Sequence, residues 1–213
     1  MNLKKIKLLG VIIITILSFI SHFAYEVCPN IIFSFIFPVN ESIWEHMKIL
    51  FTSTLIYSLI EYILLKKYNI EYNNFSFNTY FIPLMQIPLY LVIYIPLYKL
   101  FGENIFISII LMIIVYIIGQ IVSYNILKEK KLKVLNTLSV PIIIIIYIGF
   151  IYLTYNPPHT YIFYDIVNEK YGINEYIKFI ISTTMWIKKE ILYLQVFPYS
   201  LITTHHTNNY TNY

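Results

Sequence analysis

Two carboxylates and an imidazole crowd the run Pro38-Val39-Asn40-Glu41-Ser42-Ile43-Trp44-Glu45-His46-Met47-Lys48. Paired carboxylates beside a histidine suit proton transfer or a divalent metal ion. Glu41 and Glu45 stand four apart, which places both on one face of a helix. His22 and Glu26 repeat that spacing upstream. Downstream, Pro157-Pro158-His159 and Phe163-Tyr164-Asp165 supply another imidazole and another carboxylate. One reading of this inventory has Glu41, Glu45 and His46 as catalytic groups. His22, Glu26, His46 and His159 are then candidate ligands for a divalent metal, and Asn40, Trp44 and Asp165 complete a polar pocket. The sequence has no H-E-x-x-H pair, so any ligand set must be assembled from separate segments.

A structural reading accounts for part of the same run. Asn40 suits a helix N-cap, where its side chain accepts from an amide two or three residues on. Glu41 then falls in the first turn, where the helix dipole favours a carboxylate. Val39 and Trp44 hold the positions of a hydrophobic staple, and Trp44 also suits a membrane–water interface. Glu45 and His46 are left over, which is why they head the candidate residues.

The elements that must position these groups follow from composition. The 213 residues are 58% hydrophobic and only 12% charged, and the mean hydropathy is +0.67. Soluble domains average about 45–50% apolar and about 25% charged, so this chain has too little polar surface for a water-soluble fold. A single cysteine, Cys28, excludes a disulfide scaffold. All 15 basic residues are lysines, which argues against nucleic acid as partner, since no arginine and no basic stripe on a soluble domain is present. The expected class is all-α, a polytopic membrane bundle in a lipid bilayer.

Spanning the hydrocarbon takes about 20 mostly apolar residues. Five such stretches occur, at about 8–25, 47–65, 79–100, 105–127 and 134–155, within a domain of residues 1–175. The stretches are continuous rather than alternating, which excludes a transmembrane β-barrel. Lys4, Lys5 and Lys7, then Lys66 and Lys67, then Lys128, Lys130, Lys131 and Lys133 all fall on one side; the opposite segments, 26–46, 99–104 and 156–176, hold only Lys99 and Lys170. Positive charge marks the cytoplasmic side, so the expectation is a multi-pass protein of the cell membrane with its N-terminus in the cytoplasm. The first stretch reads as an uncleaved anchor, and Glu61 as a residue that snorkels to the inner boundary beside Lys66. Span three carries Pro83, Pro88 and Pro96, each of which removes a backbone hydrogen bond. Gln86 is placed to bond a carbonyl freed in this way.

The span-two run resembles the signature P-V-N-E-S-x-W-E-H-x-K of an uncharacterised family of small bacterial membrane proteins. The resemblance extends to His22-Phe23-Ala24-Tyr25-Glu26 and Tyr57-Ser58-Leu59-Ile60-Glu61-Tyr62, and ends near Tyr171-Gly172-Ile173. It implies a topology and candidate residues but no reaction. Family members finish shortly after the Tyr-Gly-Ile element, so 176–213 is expected to be an atypical tail, either from an altered reading frame or carrying an interfacial amphipathic helix around 177–194. Three functions fit. One is a membrane-embedded metal-dependent hydrolase acting on a lipid-linked or envelope substrate. Another is a small-molecule or ion carrier lined by kinked span three. The third is a non-catalytic scaffold for a membrane-protein partner. The polar pocket is expected between spans one, two and five.

Overall fold

A computed structural model describes residues 1–173; the expectations for the tail lie outside the described residues. Seven helices make up the described chain: α1 Leu3–Val27, α2 Ile31–Ile36, α3 Ile43–Lys67, α4 Phe75–Phe101, α5 Ile105–Ile126, α6 Lys133–Thr137 and α7 Ser139–Tyr155. A short hairpin, β1 Tyr164–Asp165 paired antiparallel with β2 Lys170–Tyr171, follows them. The all-α membrane-type bundle expected from composition is thus the observed class. Four helices, α1, α3, α4 and α5, are long and apolar enough to cross a membrane. The fifth expected span differs. It breaks at Leu138 into α6 and the 17-residue α7, which at 1.5 Å per residue covers roughly 25 Å.

Helix α1 is inverted relative to a soluble one. On α1 the buried stripe is Ile6, Lys7, Gly10, Ile14, Ser18, Ser21 and Tyr25, at three- and four-residue steps. Leu8, Ile12, Ile16, Phe19, Ile20 and Phe23 point outward. Small and polar residues facing in and large apolar residues facing out is the arrangement lipid demands, because lipid gives no hydrophobic reward for hiding leucine. Gly10 permits a close approach to α3. A Cβ there would lie 2.7 Å from the Tyr57 ring, whose hydroxyl donates to the Ile6 carbonyl at 2.8 Å.

Packing closes the four long helices into a ring in which α1 touches α3 and α5, and α4 touches the same two. Helix α7 lies outside this ring against α2 and α4. Three prolines do not break α4, which runs unbroken over 27 residues. Gln86 does not serve a freed carbonyl as expected. Its Oε1 accepts from Thr54 Oγ1 at 2.8 Å, drawn across by the tight α3–α4 packing.

Glu61 also departs from expectation. Rather than snorkelling toward Lys66, it is 1% exposed and forms an ion pair with Lys7 of α1, which also donates to Ser123 of α5. Lys7 is consequently no boundary marker. A charge inside the bundle is tolerable only with a partner, and Lys7 on the facing helix supplies it.

Candidate functional site

The helix after Pro38 begins later than the sequence reading placed it. Ser42 is the N-cap of α3, its Oγ accepting from Glu45 N at 3.3 Å. Asn40 instead bridges two segments. Its Nδ2 donates to the Gly172 carbonyl at 2.8 Å, while its Oδ1 accepts from Ser42 N at 2.9 Å. Glu41 therefore precedes the helix, and the Val39–Trp44 staple does not form with this register. Trp44 packs on Phe150 and Phe163, with ring centroids 5.8 and 5.1 Å away.

Glu45 turns inward. Its Oε1 accepts from Thr154 Oγ1 at 2.7 Å, and its Oε2 accepts from Lys48 Nζ at 2.9 Å and Val39 N at 3.0 Å. Lys48 Nζ in turn donates to the Ser34 carbonyl at 2.9 Å, and Thr52 Oγ1 to the Ile36 carbonyl at 2.9 Å. The free carbonyls at the end of short α2 are thereby met by α3 side chains. Backbone buried in an apolar setting requires such partners. Gly172, at φ +63°, closes the network: a Cβ there would lie 2.6 Å from the Thr154 carbonyl.

Glu41 and His46 face the other way, toward α1. His22 Nε2 lies 3.8 Å from Glu41 Oε1, and His46 Nε2 lies 3.5 Å from Glu41 Oε2. The two imidazole centroids are 5.4 Å apart. Ligand atoms of all three residues lie within 4.8 Å of one another, and each residue is half-buried. These separations exceed the N–H···O range of about 2.7–3.2 Å, so the groups converge without bonding one another directly. They approach the ~3.3 Å edge of a tetrahedron built on bonds of 2.0–2.1 Å. His46 Nδ1 lies 2.8 Å from the Ser42 carbonyl. A carbonyl only accepts, so Nδ1 carries a hydrogen, and in the neutral ring Nε2 then has its lone pair free for the cluster.

The remaining candidates lie elsewhere. Glu26 is exposed on the last turn of α1. His159 is exposed and stacks on Tyr171, with centroids 4.5 Å apart at 5°. Asp165 is buried but caps its own turn, accepting from Val167 N, Asn168 N and Asn168 Nδ2 at 3.0, 3.0 and 2.8 Å. Of the expected pocket residues, His22, Glu41 and His46 come together, while Glu26, Asn40, Trp44, Glu45, His159 and Asp165 do not join them.

A cavity of about 220 Å³ adjoins the three. Its walls come from α1, α3, α4 and α5, with Tyr161, Tyr164 and Ile166 closing one side. This differs from the expected pocket between spans one, two and five, since α7 contributes nothing. Sequence reading missed Tyr90, Tyr94 and Tyr98, which step along α4 one turn apart and line this cavity. That i, i+4, i+8 spacing is a legible signal, obscured because the chain holds 22 tyrosines in all. Glu103, just before α5, also lines the cavity and was not singled out.

A family model covers residues 1–173, the whole described region. The chain belongs to the family of unknown function DUF6512. Comparison with curated proteins and with solved structures returns no match. Membership and four long apolar helices together fit an integral membrane protein of an uncharacterised family.

Proposed function

We propose that His22, Glu41 and His46 bind one divalent transition metal of the zinc class, and that the DUF6512 chain is a metal-dependent hydrolase in the membrane. The convergence of these ligand atoms within 4.8 Å, from helix α1, a loop and helix α3, carries the reading. Two imidazoles and a carboxylate form a borderline donor set suited to zinc. Three protein ligands leave a fourth position for water, as in catalytic rather than structural zinc sites. The cavity beside it gives that water something to attack. A zinc ion held by His22, Glu41 and His46 would supply an activated water for ester hydrolysis, whose products are an acid and an alcohol. Glu103 lines the same cavity and is our candidate to handle protons in that exchange. We further infer that this end of the bundle faces outward, because the lysine-rich segments are at the other end. Exposed Cys28 then reacts with impermeant maleimide in intact cells.

The test is metal analysis of purified protein. Wild type is expected to hold one equivalent of zinc after reconstitution, and His22→Ala and His46→Ala to lose it. Well-folded wild type that takes up no metal overturns the proposal.

A further inference from the structure

We infer that the cavity takes the hydrocarbon chain of a membrane amphiphile, which enters sideways between α1 and α5 and sets its headgroup against His22, Glu41 and His46. The chain-binding part stands on the cavity alone; only the role of the headgroup rests on the metal reading above.

The cavity carries its charge at one end and is mostly apolar along its length, with the hydroxyls of Tyr90, Tyr94 and Ser108 as exceptions. Its charged groups, His22, Glu41, His46 and Glu103, collect at one end, while Met47, Leu50, Ile109 and Met112 continue the wall away from them. A water-soluble polar substrate leaves such a wall unmatched. A hydrocarbon chain under a polar head matches both parts, because apolar groups leave water favourably and polar ones require partners. Size agrees as well. At about 220 Å³ the space exceeds the ~150 Å³ of an apolar cavity that admits benzene.

The route is visible in residues that have two faces. Phe19 and Phe23 of α1 and Ile105 at the start of α5 line the cavity, yet they are 45%, 51% and 70% exposed on the apolar outer surface. A wall residue that is also exposed to lipid means that the cavity breaks the surface there. Farther along, Ser18 Oγ and Tyr116 OH meet at 2.6 Å and tie α1 to α5. Ser18 lines the cavity and fully buried Tyr116 does not, so this bond marks the floor. The opening therefore lies between two helices, toward the bilayer, with a closed end below it.

The experiment uses the full chain in vesicles of phosphatidylethanolamine and phosphatidylglycerol, doped with a phospholipid bearing a diazirine at one chain end. After illumination, labelled positions are mapped by mass spectrometry. Labelling is expected at Tyr90, Tyr94 and Met112 in wild type. It is expected to fall several-fold in Ile109→Trp and Met112→Trp, two independent fillers, each compared with wild type at matched thermal stability. Labelling confined to outward residues such as Ile16, Ile110 and Ile114, or labelling of the cavity that both fillers leave unchanged, overturns the inference. Cavity labelling in protein that takes up no metal overturns the metal reading alone.

Discussion

Glu45 offers the sharpest separation between a residue that builds the site and one that belongs to it. In Glu45→Gln an amide replaces a carboxylate that accepts from Lys48 Nζ at 2.9 Å, Val39 N at 3.0 Å and Thr154 Oγ1 at 2.7 Å. The glutamine oxygen can keep Thr154, but its NH₂ then points at two donors. Lys48 is left as a fully buried ammonium held only by neutral carbonyls, Ser34 at 2.9 Å and Phe37 at 3.5 Å. Two hydrogen bonds to a charged acceptor, at about 1.5–3 kcal/mol each, are lost. Breaking a buried ion pair on one side costs about 3–5 kcal/mol, which agrees. Removing both charges in Glu45→Met/Lys48→Met costs less than either single change, because no orphan charge remains. Unfolding in mixed micelles measures the four corners of this cycle. Metal content per folded molecule is measured beside it and is expected to equal wild type in Glu45→Gln. Stability within about 0.5 kcal/mol of wild type, the usual range for harmless substitutions, refutes the argument. So does loss of metal from a Glu45→Gln protein that unfolds like wild type.

The Lys7–Glu61 pair obeys the same logic at the other end of the bundle: Lys7→Met and Glu61→Gln each lose about 3–5 kcal/mol in equilibrium unfolding, and the double methionine variant recovers most of it. Gly172→Ala meets the Thr154 carbonyl at 2.6 Å and must hold φ at +63°, where a Cβ alone costs about 1–2 kcal/mol. Proteolysis near the hairpin is expected to accelerate in that variant, with zinc content unchanged. Zinc affinity of the wild type is expected to fall as pH is lowered, since protons compete for the imidazole nitrogens. A competition titration with a chelator across pH reads that slope, and a flat profile argues against histidine ligation.

The membrane class and the four long helices were legible because they rest on bulk apolarity over many residues, which tertiary context does not override. Boundaries were less so. Asn40 and Ser42 are both good caps by type, and only the Gly172 carbonyl, 132 residues away in sequence, decides that Asn40 bridges while Ser42 caps. Glu61 was misplaced for the same kind of reason. Its nearest lysine in sequence is Lys66, but its partner is Lys7, set by α1–α3 packing that no local spacing encodes. The His159 and Asp165 expectations rest on residue type and on a shared outer level, neither of which fixes where a side chain points. One stacks on a tyrosine and the other caps a turn, both ordinary uses of those side chains.

The signature run divides by direction once the start of α3 is fixed at Ile43. Val39, Asn40, Ser42, Glu45 and Lys48 are consumed in holding the loop, α2, α7 and the hairpin together. Glu41 and His46 alone are presented to His22. Had Glu41 been helical, as its spacing from Glu45 suggests, the two carboxylates would share a face, and Glu41 would be drawn toward the same lock. Ser42 as the cap prevents this by leaving Glu41 on the loop, where its backbone is free to aim the carboxylate across to α1. The same Ser42 fixes His46 through its carbonyl at 2.8 Å. One residue thus sets the position of the carboxylate and the hydrogen of the imidazole. Ser42→Ala keeps that carbonyl and loses only the Oγ cap, at about 1 kcal/mol. It is therefore expected to weaken the helix start while the imidazole keeps its Nδ1 hydrogen.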